Sequence, residues 1–243
     1  MNPEDQENRR KGAPELFTSR MTTREAVCAL LYLPVHVGLL PLLLSRLPAA
    51  AGLSDLELNL VVYGIGAVFM LLALGKFFRR EFDPLCDHFF YCILQVLICY
   101  CMMMAFNLIL SVILVPFLPT EQTNPNNEAL MELAGVEFGK TAAIAVFLAP
   151  LVEEPIFRGG IFGMIQQKNR TLALAASMLL FSLYHVWAYA IVNPVYWIYL
   201  LQYLPASWLL CRCYERCNSI WGSVFLHMLI NGISIRALSA LAL

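Results

Sequence analysis

Three groups of residues suited to acid–base chemistry lie inside otherwise apolar stretches of this sequence. They are Glu153, Glu154 and Arg158 in LVEEPIFRGG, then Phe181 and His185 in FSLYH, and finally His227 and Asn231 in HMLIN. Ionisable side chains inside apolar, membrane-length stretches are costly, and they mark functional sites by default. Their types and spacing therefore indicate a site assembled from three separate helices.

Helical spacing separates two roles among the charged residues. Glu154 and Arg158 are four residues apart, so they share a helix face and can pair. Glu153 is rotated from them by about a quarter turn and is left free for chemistry. His227 and Asn231 share a face by the same spacing. A buried ion pair that only locks packing would explain Glu154 and Arg158, but it would not explain Glu153.

These side chains suit the hydrolysis of a peptide bond. A carboxylate in a low-dielectric pocket is a stronger base than one in water, so Glu153 can take a proton from a water molecule held by His185. The resulting hydroxide attacks a carbonyl, and His227 and Asn231 donate hydrogen bonds to the developing oxyanion. One such donor is worth about 10²–10³ in rate. The sequence has neither an HExxH zinc motif nor a GxSxG nucleophile motif.

Composition indicates that the helices carrying these residues cross a membrane. Of the 243 residues, 60% are hydrophobic and 14% are charged, against about 45–50% and about 25% in a soluble domain. The net charge of -1 does not bear on nucleic-acid binding, but the lack of a basic stripe or recognition module excludes nucleic acid as a partner. Eight cysteines lie mostly in apolar runs and predict reduced thiols. The cluster Cys211, Cys213 and Cys217 lacks a nearby fourth ligand for structural zinc.

The hydropathy pattern predicts an all-α polytopic membrane protein with about seven transmembrane helices. The predicted spans are 27–47, 58–78, 89–118, 141–164, 171–192, 194–212 and 219–241. The predicted organisation is a tail over 1–26, N-terminal transmembrane helices and an outer loop over 27–140, and a catalytic core over 141–243. Pro155 is expected to interrupt its helix. Within the outer loop, 128–138 is expected to form a short amphipathic helix, as a connector or a lid.

The distribution of Lys and Arg predicts the orientation. Twelve cations lie in four regions that alternating helices place on one side, namely 9–24, 76–80, 168–170 and 212–216. The other side has Arg46, Lys140 and Arg236. Because cytoplasmic loops carry the excess of Lys and Arg, the N-terminus is predicted in the cytoplasm. Counted along the helices, the candidate catalytic residues then fall within about 9 Å of depth, nearer the cytoplasmic half.

The three groups resemble the EExxxR, FxxxH and HxxxN motifs of the CAAX prenyl protease and bacteriocin-processing family, also called CPBP or ABI, of intramembrane endopeptidases. The resemblance covers about residues 141–243. It implies a glutamate-dependent protease core with a conical cavity that opens toward the cytoplasm and the membrane. It also implies site roles: Glu153, His185, His227 and Asn231 are catalytic, while Glu154, Arg158 and Phe181 support them.

The resemblance leaves open whether the site uses a zinc ion. Glu153, His185 and His227 resemble a His₂Glu catalytic zinc set, and this family is often described as metalloproteases. The metal-free mechanism is favoured, because Asn231 is a poor zinc ligand and a good oxyanion donor. No cofactor is therefore expected, and zinc is the alternative.

Two other functions stay open at this point. One is a non-catalytic immunity or binding protein on the same scaffold. The other is a proton-coupled transporter, which inverted repeats and acidic groups in the first three helices would favour; the sequence shows neither. The expected partners are the lipid bilayer and a membrane-associated protein or peptide substrate. Short loops and a compact chain suit a bacterial cell membrane.

Overall fold

A computed structural model describes the protein over residues 17–48, 52–114 and 124–241. These residues form helices and no strand, as the sequence predicts. In chain order the helices are α1 Thr23–Ser45, α2 Asp55–Ala73, α3 Gly75–Asp87, α4 Phe89–Leu114, α5 Pro125–Gln166, α6 Arg170–Val192, α7 Leu200–Cys217 and α8 Ile220–Leu241.

Six of the described helices are long and apolar enough to cross a bilayer, namely α1, α2, α4, α5, α6 and α8. The protein is therefore a multi-pass membrane protein, as predicted. The predicted span 194–212 is instead a 3₁₀ turn, Pro194–Tyr199, followed by α7. Although α7 is not among the six, it packs between α4, α6 and α8 and buries Leu209, Leu210 and Cys211.

The second predicted span, 58–78, ends earlier than the sequence suggests. Helix α2 stops at Ala73 because Leu74 leaves helical geometry, with φ -111 and ψ 13. The next helix, α3, is amphipathic and buries Phe77, Phe78 and Leu85 on one face. The cations of this region therefore belong to a separate short helix, and the transmembrane helix does not carry them.

Helix α5 joins the predicted surface helix to the fourth predicted span. The Asn124 side chain caps its start by accepting from the backbone N–H of Asn126 at 3.0 Å. A break at Glu137, with φ -142 and ψ 79, then turns the chain into the membrane-spanning part. A wide π-helical stretch begins at Pro155, which has no backbone N–H to donate. This is the interruption that the sequence predicts there.

Contacts between helix ends define one end of the bundle. Arg80 of α3 binds Glu25 near the start of α1 at 2.8 Å, and Arg170 at the start of α6 binds Glu215 near the end of α7 at 2.6 Å. The side chain of Asn218, between α7 and α8, accepts from the backbone N–H of Thr18 and Ser19. We call this the closed end. The opposite end, where α2 and α5 begin and α1, α4, α6 and α8 end, is called the cavity end.

The closed end is packed around a buried carboxyl group. Glu81 is 4% exposed, and its Oε2 accepts from Ser19 Oγ at 2.5 Å and from the backbone N–H of Ile220 at 2.9 Å. Ser19 Oγ also lies 2.6 Å from the hydroxyl of Tyr214. Burial raises the pKa of Glu81 to about 7. One carboxyl group thus ties together α3, α8 and the segment before α1.

The cysteines at the closed end are packing residues with free thiols. All eight cysteines of the chain lack a disulfide. Cys213 and Cys217 are fully buried, with their sulfurs 3.9 Å apart, and the Cys217 thiol faces the carbonyl of Cys92 on α4. The predicted cluster is therefore divided, since Cys211 faces Ser177 of α6 instead.

Candidate active site

The predicted ion pair forms a fully buried support for a histidine. Arg158 Nη1 donates to Glu154 Oε1 at 3.1 Å, and both side chains have no exposed surface. The same Glu154 oxygen lies 2.7 Å from Nδ1 of His227. Arg158 also donates to Ser207 Oγ at 3.0 Å, and its guanidinium lies 4.1 Å from the centre of the Phe181 ring. Glu154 therefore links the cation to His227 and fixes the orientation of that ring.

Glu153 lies beside this support with one oxygen turned to two histidines. The side chain is 4% exposed, and its Oε2 is 3.9 Å from Nε2 of His185 and 3.9 Å from Nε2 of His227. That oxygen has no hydrogen-bond partner among the described residues. The structure thus brings together three of the four predicted catalytic side chains, which come from α5, α6 and α8.

The other oxygen of Glu153 is held by a residue from α2. Tyr63 donates its hydroxyl to Glu153 Oε1 at 3.4 Å and lies 3.0 Å from the hydroxyl of Tyr184. His36 packs edge-on against the Tyr63 ring at 4.7 Å and is 3% exposed, in keeping with a packing role. These contacts turn Oε2, rather than Oε1, toward the histidines.

Hydrogen-bond chemistry assigns the protons of the two rings. Nδ1 of His185 lies 2.9 Å from the carbonyl oxygen of Phe181, which can only accept. Nδ1 of His227 faces a carboxylate that is already paired with a cation, so it too must donate. In each neutral ring the acceptor nitrogen is therefore Nε2. Three acceptor atoms face one another around Glu153 Oε2, an arrangement that needs a shared proton or a donor molecule between them.

Asn231 lies one turn beyond His227 and lines the same cavity. Its Nδ2 donates to the backbone carbonyl of Ala145 at 2.7 Å. An amide nitrogen carries two protons, so one N–H is still available for a ligand. His185 is held on its other side by Tyr203, whose ring stacks on it with centroids 4.7 Å apart.

A cavity of about 800 Å³ begins at this cluster. Seven of its lining residues carry neutral amide side chains: Asn59, Asn107, Asn124, Asn126, Asn127, Gln202 and Asn231. Between them lie apolar side chains such as Met103 and Leu130. The volume is in the range of sites that enclose small ligands or a few residues of a peptide.

The donor atoms are spaced more widely in this structure than the ligands of a tetrahedral zinc ion. With metal–ligand distances of about 2.0–2.2 Å, two ligand atoms of such a site lie roughly 3.3–3.6 Å apart. Glu153 Oε2 is 3.9 Å from each histidine nitrogen. Within residues 17–48, 52–114 and 124–241, no group of three or more His, Cys, Asp and Glu is placed to hold a metal ion. No step of the chemistry is therefore routed through zinc.

Sequence reasoning missed four side chains that position the site. Tyr63, Tyr184 and Tyr203 surround Glu153 and His185, and Ser207 holds Arg158. Tyr184 directly precedes His185 in the sequence, which is a usable signal. Tyr63 is 90 residues away from Glu153, in an apolar stretch that gives no indication of its partner.

Comparison with known proteins points to one family. A family model described as type II CAAX prenyl endopeptidase Rce1-like matches residues 137–233. The match runs from the break in α5 into α8, so it contains all seven motif residues and leaves α1–α4 outside. It confirms the resemblance that the motifs predict. A search of the curated proteins and a search of the solved structures each found no match.

Proposed function

We propose, from the membership of residues 137–233 in the type II CAAX prenyl endopeptidase Rce1-like family, that this protein is an intramembrane endopeptidase. Its substrate is a membrane-associated protein or peptide. The observation that carries the proposal is the position of Glu153 Oε2, which is buried and 3.9 Å from two histidine nitrogens. Glu154 Oε2 also has no hydrogen-bond partner among the described residues, but Glu153 Oε2 is the oxygen that lies between the Nε2 atoms of two histidines.

The attacking water is held by Glu153 and His185. Atoms 3.9 Å apart are too distant for a direct hydrogen bond, but one water oxygen fits at about 2.8 Å from both. Such a water donates one proton to Glu153 Oε2 and the other to His185 Nε2. Its lone pairs then point away from both groups toward a bound carbonyl. The assigned ring proton leaves Nε2 of His185 free to accept from the water and so to orient the nucleophile.

Charge balance gives His227 its role. Arg158 and Glu154 neutralise each other, and a second isolated charge in this buried site would be costly. An ionised Glu153 therefore requires a protonated partner, and His227 is the ring that already binds a carboxylate at Nδ1. The imidazolium form donates from Nε2, which faces Glu153 and the cavity. His227 thus stabilises the oxyanion as a cation, with the free N–H of Asn231 as second donor.

Hydrolysis then proceeds in two steps, in which Glu153 transfers one proton from the water to the leaving nitrogen. The water oxygen bonds to the carbonyl carbon while Glu153 takes the water proton and the carbonyl oxygen becomes the oxyanion. As the tetrahedral intermediate collapses, the carbon–nitrogen bond breaks and Glu153 passes that proton to the leaving nitrogen. Arg158, Ser207 and Phe181 touch no reacting atom. They keep Glu154, and through it His227, in place.

The direct test is cleavage of peptide panels by the purified protein in detergent. The panel contains fluorogenic peptides of CAAX type and of bacteriocin-leader type. Glu153→Gln should lower kcat by about 10²–10⁴, because it removes the general base and keeps the shape of the side chain. Glu137→Gln is the matched control, since Glu137 is an exposed carboxylate of the same helix paired with Lys140. Its activity should equal that of the wild type.

Three further measurements test the mechanism and its alternatives. Tyr63→Phe should lower kcat by a few-fold and leave KM unchanged, because its bond to Glu153 is long at 3.4 Å. Activity that is lost on chelation and restored by zinc would overturn the metal-free mechanism. A wild-type protein that cleaves no peptide, together with a Glu153→Gln variant of unchanged cellular phenotype, would favour a non-catalytic binding protein.

We also place the protein in the bacterial cell membrane with its N-terminus in the cytoplasm. The short connections between helices support the first part. The concentration of Lys and Arg at the closed end supports the second. Fusion of alkaline phosphatase to the C-terminus tests the orientation, because that reporter is active only outside the cytoplasm.

A further inference from the structure

The side chain of Asn231 takes its direction from one backbone carbonyl. Its Nδ2 donates to the carbonyl oxygen of Ala145 at 2.7 Å. A carbonyl oxygen can only accept, so this contact decides which of the two amide atoms lies there. Turned around, the amide would set its Oδ1 against the oxygen of Ala145. The contact therefore holds the side chain in the orientation that leaves the second N–H of the same nitrogen for a ligand.

A carbonyl inside a helix normally accepts from the backbone N–H four residues later. Ala145 lies within α5, in a second π-helical stretch, Ala143–Leu148. Here the backbone N–H of Ala149 donates to the carbonyl of Ile144, five residues before it. The same spacing would pair the N–H of residue 150 with Ala145. Residue 150 is a proline and has no N–H, so the carbonyl of Ala145 lacks its helical donor.

Pro150 also accounts for the wide turn that precedes it. In a regular α-helix a proline ring clashes with the carbonyl of the residue four positions earlier, which here is Val146. A regular α-helix would also pair the N–H of Ala149 with Ala145. The wider turn relieves the clash and gives the N–H of Ala149 to Ile144 instead. Proline at position 150 therefore keeps both possible backbone donors away from Ala145.

The influence of Pro150 on the site passes through the backbone. Pro150 is buried and does not belong to the residues that line the cavity, whereas Ala145 and Asn231 both do. Helix α8 passes close to the π-helical stretch Ala143–Leu148, since a Cβ added at Gly232 would lie 3.8 Å from Val146. The short side chain of Asn231, next to this glycine, therefore reaches the freed carbonyl.

We propose that Pro150 is a positioning residue for Asn231. Because it leaves the carbonyl of Ala145 without a helical donor, that carbonyl holds the amide of Asn231, and the second N–H of the amide is fixed in the cavity. The effect on rate rests on the proposed protease function, in which Asn231 is the second donor to the oxyanion. The hydrogen-bond arrangement does not rest on it.

The arrangement is tested by NMR on the full-length protein in detergent, labelled with ¹⁵N-asparagine. The side-chain signal of Asn231 is identified by its loss in Asn231→Ala. Its proton bonded to Ala145 should lie downfield of the matching proton of Asn127, which is exposed. In Pro150→Ala the new backbone N–H makes either helical pairing of Ala145 possible. The bonded proton of Asn231 should then move upfield, toward the shift of Asn127.

Pro84→Ala is the matched control, because Pro84 lies inside helix α3 and does not line the cavity. It should leave the signal of Asn231 unchanged. An unchanged signal in Pro150→Ala, or an equal movement in both variants, would overturn the proposal. These outcomes do not require cleavage of any peptide. Failure of this proposal and failure of the protease function are therefore separate findings.

Kinetics of peptide cleavage test the consequence for the reaction. Asn231→Ala should lower kcat by about 10²–10³, the usual cost of one oxyanion donor. Pro150→Ala should lower kcat by about 10–10²-fold with KM unchanged, because a small misplacement of an orienting group has a cost of that order. Added to Asn231→Ala, it should have little further effect, since the donor that it positions is gone. An equal loss with and without Asn231 would overturn the positioning role.

A backbone substitution separates the missing donor from the shape of the ring. Replacement of Pro150 by lactic acid, the hydroxy-acid analogue of alanine, gives an ester with the side chain of alanine and no N–H. This variant should keep the wild-type signal of Asn231 and most of the wild-type kcat, although Pro150→Ala loses both. An ester variant that behaves like Pro150→Ala would show that the ring matters rather than the missing donor, and it would overturn the proposal.

Discussion

At the closed end, Glu81 is enclosed by three segments of the chain, and ion pairs cover the turns around it. At the cavity end, amide side chains surround about 800 Å³ of open volume. The buried group of Glu154, Arg158 and His227 lies between the two. A void costs packing energy, because its lining atoms lose contacts. The dense end therefore supplies the rigidity that lets the other end be hollow and still hold two histidines on one carboxylate.

The largest loss of stability is expected when the buried cation Arg158, between the two ends, is removed. Arg158→Met leaves Glu154 as an uncompensated buried charge, and loss of one partner of a buried pair costs about 3–5 kcal/mol. The free energy of unfolding, measured by denaturation in detergent micelles, should fall by that amount. Arg170→Met, at a half-exposed pair, is the matched control. A loss no larger than that of the control would show that Arg158 does not organise the middle of the bundle.

Alanine substitutions at two glycines of α8 test the difference in packing between the closed end and the cavity end. A Cβ at Gly222 would lie 2.6 Å from the sulfur of Cys217 and 2.7 Å from its Cβ, whereas a Cβ at Gly232 meets nothing closer than 3.8 Å. Gly222→Ala should therefore cost about 1–3 kcal/mol through overpacking. Gly232→Ala should be neutral or stabilising by about 0.5–1 kcal/mol, because alanine favours a helix. Equal effects in the same denaturation assay would contradict the contrast between the ends.

Glu81 makes the closed end sensitive to pH. Its pKa is raised from 4.5 to about 7 by burial, so the folded protein binds a proton that the unfolded chain has released in that range. The contribution of Glu81 to the free energy of unfolding should be largest below about pH 4.5, fall as pH rises to about 7, and be level above. The thermal midpoint should show this as a drop of a few degrees. Glu81→Gln should remove the drop, and Glu137→Gln should leave it unchanged.

The smallest effects are expected from the exposed ion pairs. Arg170→Met at the closed end and Lys140→Met at the cavity end each remove a pair with a solvent-accessible cation. Each should cost about 0.2–1 kcal/mol, and added salt should reduce the difference from the wild type. A cost well above that of Gly222→Ala for either variant would show that surface charges, rather than buried packing, distinguish the ends.

The sequence predicts best what depends on local spacing. The pairing of Glu154 with Arg158 follows from four-residue spacing, and the bounds of α6 and α8 lie within a residue of the predicted spans. The end of α2 was harder to predict, because apolar residues continue past Leu74 and hide the change from a spanning helix to an amphipathic one. The predicted span 194–212 likewise begins too early, because the apolar residues of the 3₁₀ turn Pro194–Tyr199 continue into α7.

What the sequence does not predict depends on contacts between distant segments. Tyr63 reaches Glu153 only through the packing of α2 on α5. The donor nitrogen of His227 is decided by Glu154, so its role in the site follows from a tertiary contact. The amides of the cavity lie on α2, α4, α5, α7 and α8 and share no sequence pattern. Their convergence becomes visible only when the helices are assembled.

Tyr63 also shows that the family segment is incomplete without the front of the chain. It lies outside residues 137–233, as do Asn59 and Asn107 in the cavity wall. The proposed catalytic residues thus lie in one stretch of the chain, and much of the cavity wall lies in another. If the proposed function is correct, substitutions in the cavity wall of α1–α4 other than at Tyr63 should change the choice of substrate more than the rate of the chemical step. Relatives that share residues 137–233 could therefore differ in substrate.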